Sequence, residues 1–485
     1  LSSDVIASPT AGTEGSPRAL GFDRFATAIL YVVTFALGAV SSAQIDLWWL
    51  LRAGQDIWHT HHVSLVERYS HTAAGRYWSN HEWLWEAIAY LLHRAGGMPL
   101  LSAWTGAVVA TTAWVMRRNS RALGYVVPIV LGIALPLMSV SWTIRPQVTS
   151  MLLFAVTMLL LARERYAWIP ALFLVWANLH AQVVMGGALL GVATLASLVD
   201  LARTRSADAA RRARHLALTT AVSAAATLVN PLGPRLWTYV LDANGRPGQD
   251  RIAEWATAFS SPVGAAIFWP LVVVTIVLAV RRRARLRTWA DRVPALAALV
   301  MAPLAMTAIR NIPFFVVAVV PLWMTLLEFH TRHPVGTVRR WREALVAVAL
   351  LAAVGVGTVW AAQPPKLAWH PVSSGLASAL RGCPGPLYND YDQGAALIWF
   401  VPDVKVFVDN RQDPYPASVI DASMGLAPSD YRRTFDRFGI RCALLHRRSA
   451  LAAAVLRDGW TPTYEDGTSV VLVPPATPRA TSATE

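Results

Sequence analysis

About eleven apolar runs, most of them near the ~17–25 residues that a helix needs to cross a bilayer, constrain this chain more than anything else in it. They fall near 25–43, 98–116, 123–141, 147–162, 168–179, 183–201, 216–229, 263–280, 292–309, 312–328 and 343–361. Only 15% of residues are charged and 55% are hydrophobic, against about 25% charged in a soluble domain. The expectation is a mainly α, polytopic membrane protein. The net charge of +14 does not point to nucleic acid, because the arginines sit in short clusters between apolar runs, as cytoplasmic anchors do. No nucleic-acid partner is expected.

Residues 1–21 are small and polar and read as a disordered cytoplasmic tail. The run after Arg24 is long and has no A-x-A-like site at its end, so it reads as a first span and not as a signal peptide. With the N-terminus inside, every dense arginine cluster falls on the cytoplasmic side, in 117–121, 163–165, 203–215, 281–287 and 331–342. The outward segments are then 44–97, 143–146, 178–182, 230–261, 310–311 and everything after 363. The pair 168–179 and 183–201 is interrupted by Asn178, His180 and Gln182. Such a break is tolerated at membrane depth only where it lines a cavity.

Residues 363–476 read as a small extracytoplasmic α/β domain, followed by a second disordered tail at 477–485. PLYND, KVFVDN and CALLH read as strands, DQGAALIWF and RSALAAAVLRDG as helices, and TPTYED with SVVLVP as a hairpin. Cys383 and Cys442 are the two cysteines, with room for a single bridge if this part faces an oxidising compartment. Asp390, Asp392, Asp409, Asn410, Arg411 and Asp413 gather at strand ends, where turn chemistry explains them at least as well as a ligand does.

Segment 44–97, with its QIDLWWLLRAGQDIW and WSNHEWLWEA stretches, is too polar and too long for a connector. Asp46 stands just beyond the first span, placed to take a proton from a substrate whose lipid tail lies in the bilayer. Alternatively it caps the next helix, with Trp48 and Trp49 as interfacial anchors. His81 and Glu82 are expected in the first turn of a helix capped by Ser79 or Asn80, where they bind an acceptor or a divalent cation, or are ordinary first-turn polar residues. Arg145, His180 and Arg310 each interrupt apolar sequence at an outward span end, where a lone charge needs a partner. A phosphate group fits arginine's fork; snorkelling to lipid headgroups is the alternative. Glu254 in IAEW is a further carboxylate on that side, and Asn178 and Trp48 are additional candidates.

Taken together, DLWW–G–IW, WSNHEWLWE, RPQ, WANLH, NPLG, RNIPFF, VFVDNRQDPY and YEDGTSVVL resemble a family of bacterial membrane proteins with the C-type glycosyltransferase fold, over nearly the whole chain from about residue 22. The resemblance implies a sugar passed from a polyprenyl-phosphate carrier to a cell-envelope glycan or lipid acceptor at the outer face of the plasma membrane, with Asp46 at the position of the general base. Two departures stand out: Leu50 replaces a frequent His, which bears on the acceptor site or any metal, and Glu67-Arg68-Tyr69-Ser70 replaces a DPFS-like turn. The competing readings are a lipid-linked glycan flippase and a non-catalytic scaffold of the same fold whose outer domain binds an envelope glycan or protein.

Overall fold

The structure, a computed structural model, describes residues 22–124, 126–139, 141–242, 245–246, 248–327 and 367–475. The expected run at 343–361, the 331–342 loop and both tails lie outside the described residues. Twelve helices are named here over residues 22–327: α1 Phe22–Ala39, α2 Leu47–Thr60, α3 Trp83–Arg118, α4 Val126–Ser139, α5 Pro146–Ala162, α6 Ile169–Leu179, α7 Val183–Thr204, α8 Ala207–Ala226, α9 Arg235–Leu241, α10 Trp269–Arg282, α11 Trp289–Thr307 and α12 Ile312–Leu327. Among the described residues, five helical stretches are long and apolar enough to cross a membrane, namely Trp83–Arg118, Val183–Thr204, Gly264–Arg285, Trp289–Thr307 and Ile309–Leu327. Shorter apolar helices include Pro146–Ala162 and Tyr166–Leu179. Exposed Leu, Ile and Val side chains on these helices, such as Leu195, Val273 and Leu299, match a surface solvated by lipid tails. The chain is a multi-pass membrane protein.

Helix α3 bends at Gly96 and Gly97, where φ of Gly97 is +63°, a left-handed value that only glycine adopts freely. Its first half belongs to the 44–97 segment and its second half to the bundle. The start of α3 packs on α2 with almost no side chain between them: a Cβ at Gly54 would lie 2.1 Å from the Glu86 carbonyl oxygen. The glycine of the DLWW–G–IW run is therefore what lets these two helices touch. At α5 the turn from 143 to 145 ends in Pro146 at the first helical position, which needs no N–H donor there.

Residues 367–475 carry a four-stranded sheet in the order β1-β2-β4-β3, with β1 Leu387–Asn389, β2 Cys442–His446, β3 Thr461–Glu465 and β4 Ser469–Val473. β1 and β2 are parallel and the other pairs antiparallel. Helices Gly394–Phe400 and Ala450–Arg457 pack with it, and Cys383 is joined to Cys442.

One expected strand does not form. KVFVDN runs beside β1 but makes only an isolated parallel bridge, from Val406 to Ser70 of the first outer segment. The reason is side-chain competition. Asn389 accepts from the Phe407 N–H and donates to the Val408 carbonyl, both at 2.8 Å, so an amide occupies what would be ladder positions. The outer segment takes the rest: Val406 N–H donates to Tyr69 O and His71 N–H to Val406 O. Sequence distance is thus bridged by backbone pairing, and residues 44–97 and 367–475 share one apolar core. Leu47, Trp48 and Leu51 lie in the same buried cluster as Leu387, Leu397 and Val401. Trp48 and Trp49, read as interfacial anchors, are buried; Trp48 meets Phe400 at 4.8 Å between ring centres.

Candidate active site

Five chain segments of the bundle bring their polar residues to one end, where the residues before α3 and the 409–413 stretch join them. The five are the turn after α1, the start of α5, the α6–α7 break, the 253–255 turn and the 309–311 turn. Asp46 stands at the N-terminal boundary of α2 but makes no side-chain capping bond. Its carboxylate turns inward instead. Oδ2 accepts from Arg145 Nε at 2.5 Å and from Arg145 Nη2, and Oδ1 accepts from Asn410 Nδ2. Burial pushes the Asp46 carboxyl up, against the pull of Arg145. A base with a raised pKa is a better proton acceptor than an ordinary aspartate.

Arg145 continues the chain of charges. Its Nη1 meets Glu254 Oε2 at 3.1 Å, and Arg310 Nη1 meets Glu254 Oε1 at 3.5 Å. The Arg310 guanidinium also lies 4.5 Å over the Trp255 ring, a cation–π contact. Gln147, from the RPQ run, donates to the Arg310 carbonyl at 2.9 Å and so ties the two arginine segments together. Burial works to raise the Glu254 pKa, but Arg310 and Arg145 outweigh it and hold the carboxyl below its usual value. Two of the three expected lone cations, Arg145 and Arg310, therefore meet around one carboxylate.

His81, Glu82 and His180 form a second group. His81 Nε2 lies 2.9 Å and His180 Nε2 3.4 Å from Glu82 Oε1. The helix expected from His81 begins at Trp83, with Glu82 as its boundary residue at φ −116°. The reason is local: His81 Nδ1 is 2.9 Å from the Ser79 carbonyl, and Asn80, expected as a cap, donates to Glu86 Oε2. His81 and Glu82 thus precede the helix and point at the α6–α7 break. Burial works against charge on His81, yet Glu82 overcomes it and raises the pKa; His81 in turn holds Glu82 low against the same burial effect.

His180 behaves in the opposite way and is not a cation here. Burial pushes its imidazole down to about 3, with His81, Arg310 and Arg145 adding to the effect. Its Nδ1 lies 2.9 Å from Ser150 Oγ, which also accepts from Trp176. A pH dependence follows from 6.5, the ordinary value, as the unfolded pKa. Below pH 6.5 the unfolded chain takes up a proton that the native state refuses, so native stability falls as pH drops from 6.5 toward about 3. His81 acts with the other sign, its contribution being full below 6.5 and lost as pH rises through its raised folded value. Melting His180→Gln beside the wild type between about pH 7 and pH 4 is expected to show a shallower acid loss in the variant. Parallel curves would mean that His180 does not carry it.

The remaining candidates are accounted for by packing. Asn178 accepts from Trp83 Nε1 and donates to the Leu174 and Val229 carbonyls, all at 2.8 Å. Leu50 is buried in the α2 core. Glu67, in the segment that departs from DPFS, accepts from the backbone N–H groups of Tyr69 and Ser70 at 2.7 and 2.6 Å and pairs with Arg411 at 2.5 Å. From the residues alone, turn chemistry is the better account of the Asp409–Asp413 stretch, with a ligand site as the alternative. The structure brings it to the site: Asn410 reaches Asp46, Asp413 accepts from the Ser79 N–H at 2.6 Å, and Arg411 is enclosed between Glu67 and Asp409.

No protein-family model matches the chain, and no curated protein does. Solved structures do. The chain is similar to ArnT from Cupriavidus metallidurans bound to undecaprenyl phosphate, at 14% identity and a TM-score of 0.52 over 93% of this chain and 97% of that one. It is also similar to the archaeal oligosaccharyltransferase AglB from Archaeoglobus fulgidus in complex with an inhibitory peptide and a dolichol-phosphate, at 10% identity and a TM-score of 0.55 over 92% of this chain and 74% of that one. A further structure of the Archaeoglobus fulgidus oligosaccharyltransferase, in complex with Zn and sulfate, matches at 11% identity and a TM-score of 0.53, over 91% and 73%. At such identities the likeness is one of architecture, and the chain has the C-type glycosyltransferase fold.

Proposed function

We propose that this protein is an integral membrane glycosyltransferase that takes a sugar from a polyprenyl-phosphate donor and passes it to a hydroxyl of a cell-envelope acceptor. The observation that carries the reading is the Asp46–Arg145–Glu254–Arg310 array at one end of a bundle whose fold is shared with proteins that bind undecaprenyl phosphate and dolichol-phosphate. Asp46 takes the proton of the acceptor hydroxyl as its oxygen attacks the anomeric carbon. The bond from that carbon to the phosphate oxygen breaks on the opposite face, its electron pair leaves with the phosphate, and configuration inverts. Arg145 and Arg310 stabilise the charge that grows on the leaving phosphate. Glu254, which now bridges them, is the group that a phosphate displaces.

His81, Glu82 and His180 orient the acceptor or hold a divalent cation. Their candidate ligand atoms lie within 4.8 Å of one another, and two imidazoles with one carboxylate suit a first-row divalent metal. A cation there would supply positive charge beside the reacting phosphate.

Residues 22–362 form the transmembrane domain in this reading, and 363–476 an outer α/β domain. The site then faces the outside of the bacterial plasma membrane, with the N-terminus in the cytoplasm. Two features support that orientation. The Cys383–Cys442 bridge belongs to an oxidising compartment, and the arginine clusters among the described residues, at 117–121, 163–165, 203–215 and 281–287, lie at the opposite ends of the spans.

The test is to incubate the purified protein with a panel of polyprenyl-phosphate-linked sugars and follow release of polyprenyl phosphate. One donor is expected to be bound and consumed. Binding and consumption of none would favour a scaffold.

A further inference from the structure

The segment Asn410-Arg411-Gln412 approaches Asp46 from the far end of the chain, and its hydrogen bonding is unfinished. Asn410 Nδ2 donates to Asp46 Oδ1. The Oδ1 of the same amide is buried and has no hydrogen-bond partner among the described residues. Two residues on, Gln412 Nε2 is also buried, with a poorly aligned contact to the Tyr391 hydroxyl as its partner. The two groups are complementary: the Asn410 oxygen needs a donor, and the Gln412 amide can take a better acceptor.

Backbone geometry singles out the same place. Gln412 has φ +62°, in the left-handed region. A glutamine held there is strained, and such strain persists only where the surroundings fix it, commonly at ligand sites. Here Arg411 does the fixing. Its guanidinium binds Asp409 through Nε at 2.8 Å and Nη2 at 2.5 Å, and Glu67 through Nη1 at 2.5 Å, under the rings of Tyr69 and Trp78. Tyr391 closes the arrangement. Its hydroxyl donates to the Asn410 carbonyl at 3.0 Å and lies beside the Gln412 side chain, within the field of Asp46.

We infer that Asn410 and Gln412, held on either side of the Arg411 anchor, form a subsite beside Asp46 that reads hydroxyl groups of a sugar or polyol acceptor. A hydroxyl can donate to the Asn410 oxygen and can accept from the Gln412 amide, and a sugar or polyol carries several of them. An apolar acceptor would leave the Asn410 oxygen buried and unpaired, which a site built this way rejects. The inference rests on the glycosyltransferase reading for what the bound hydroxyl then does, and on the amide geometry for what is bound.

The test measures binding apart from turnover. Full-length protein in lipid nanodiscs is probed by saturation-transfer NMR with methyl hexosides, methyl pentosides and alditols. At least one probe is expected to bind saturably, and at least about tenfold more weakly to Asn410→Ala and to Gln412→Gly, the size of effect that follows from losing one hydrogen bond to a buried polar group. The glycine suits φ +62°, so that variant removes the amide without straining the fold. Failure of every probe to bind, or wild-type binding by both Asn410→Ala and Gln412→Gly, overturns the subsite. With a consumed donor in hand, Asn410→Ala should raise the KM for the acceptor and leave that for the donor unchanged; the reverse also overturns it. If instead polyols bind as expected while no donor is consumed, it is the transferase reading that fails.

Discussion

Asp46→Asn is expected to lower sugar transfer by about 10²–10⁴-fold, the usual effect of removing a positioned general base, while leaving the protein folded. The substitution is nearly isosteric. The asparagine oxygen still accepts from Arg145, while its amide nitrogen comes to face Asn410, whose side-chain amide must turn over to accept from it. The surroundings of Asp46 suit proton transfer, because burial raises its pKa while Arg145 keeps the carboxylate from being neutralised altogether. Neutralising Asp46 also leaves Arg145 with Glu254 as its remaining carboxylate partner, so phosphate binding should survive or tighten. Single-turnover transfer from the consumed polyprenyl-phosphate donor, with donor binding measured in parallel, checks both parts. Turnover like the wild type would remove Asp46 from the mechanism. Loss of donor binding would mean that it holds the phosphate site together instead.

Which charges meet in this site was largely readable from the residues, because a charge at an apolar span end must find a partner. Arg145 and Arg310 are such charges, and Glu254 is the partner between them. His180 was readable as an interruption but not as a neutral group, since its low pKa depends on burial among residues far away in the chain, His81, Arg145 and Arg310 among them. The C-terminal contribution was not readable. Asp409, Asn410 and Asp413 look like turn residues in any soluble α/β segment, and nothing local indicates that Asn410 lies against a residue 364 positions earlier. KVFVDN has the alternation of a strand, yet the Asn389 side chain occupies its ladder groups. For the same reason Trp48 and Trp49 read as interfacial. Their burial follows from a domain docked onto α2, which no periodicity in α2 announces.

That docking depends on Arg411, and Arg411→Met is expected to destabilise the folded protein by about 3–5 kcal/mol. The Arg411 side chain is 1% exposed, and those of Glu67 and Asp409 are fully buried. Burial alone would push the arginine toward neutrality, but Asp409 and Glu67 overcome it and hold the charge. Removing the cation leaves two carboxylates stranded without a counter-charge, and Tyr415, which donates to Asp409 at 2.6 Å, cannot neutralise them. Lysine is not a substitute, because it has no planar fork to bind Asp409 twice while reaching Glu67. Adding Glu67→Gln and Asp409→Asn to Arg411→Met should recover much of the loss, since the cost lies mainly in unpaired buried charge. Unfolding of the wild type, the single variant and the triple variant, followed by tryptophan fluorescence, separates these cases. Equal losses in the single and the triple variant would show that packing under Trp78 and Tyr69 matters more than charge. Activity should not recover with stability in the triple variant. Methionine cannot hold Gln412 in its left-handed conformation or fix Asn410 against Asp46, so a protein with a restored melting point and a transfer rate still depressed would show that this buried ion cluster serves the site as well as the fold.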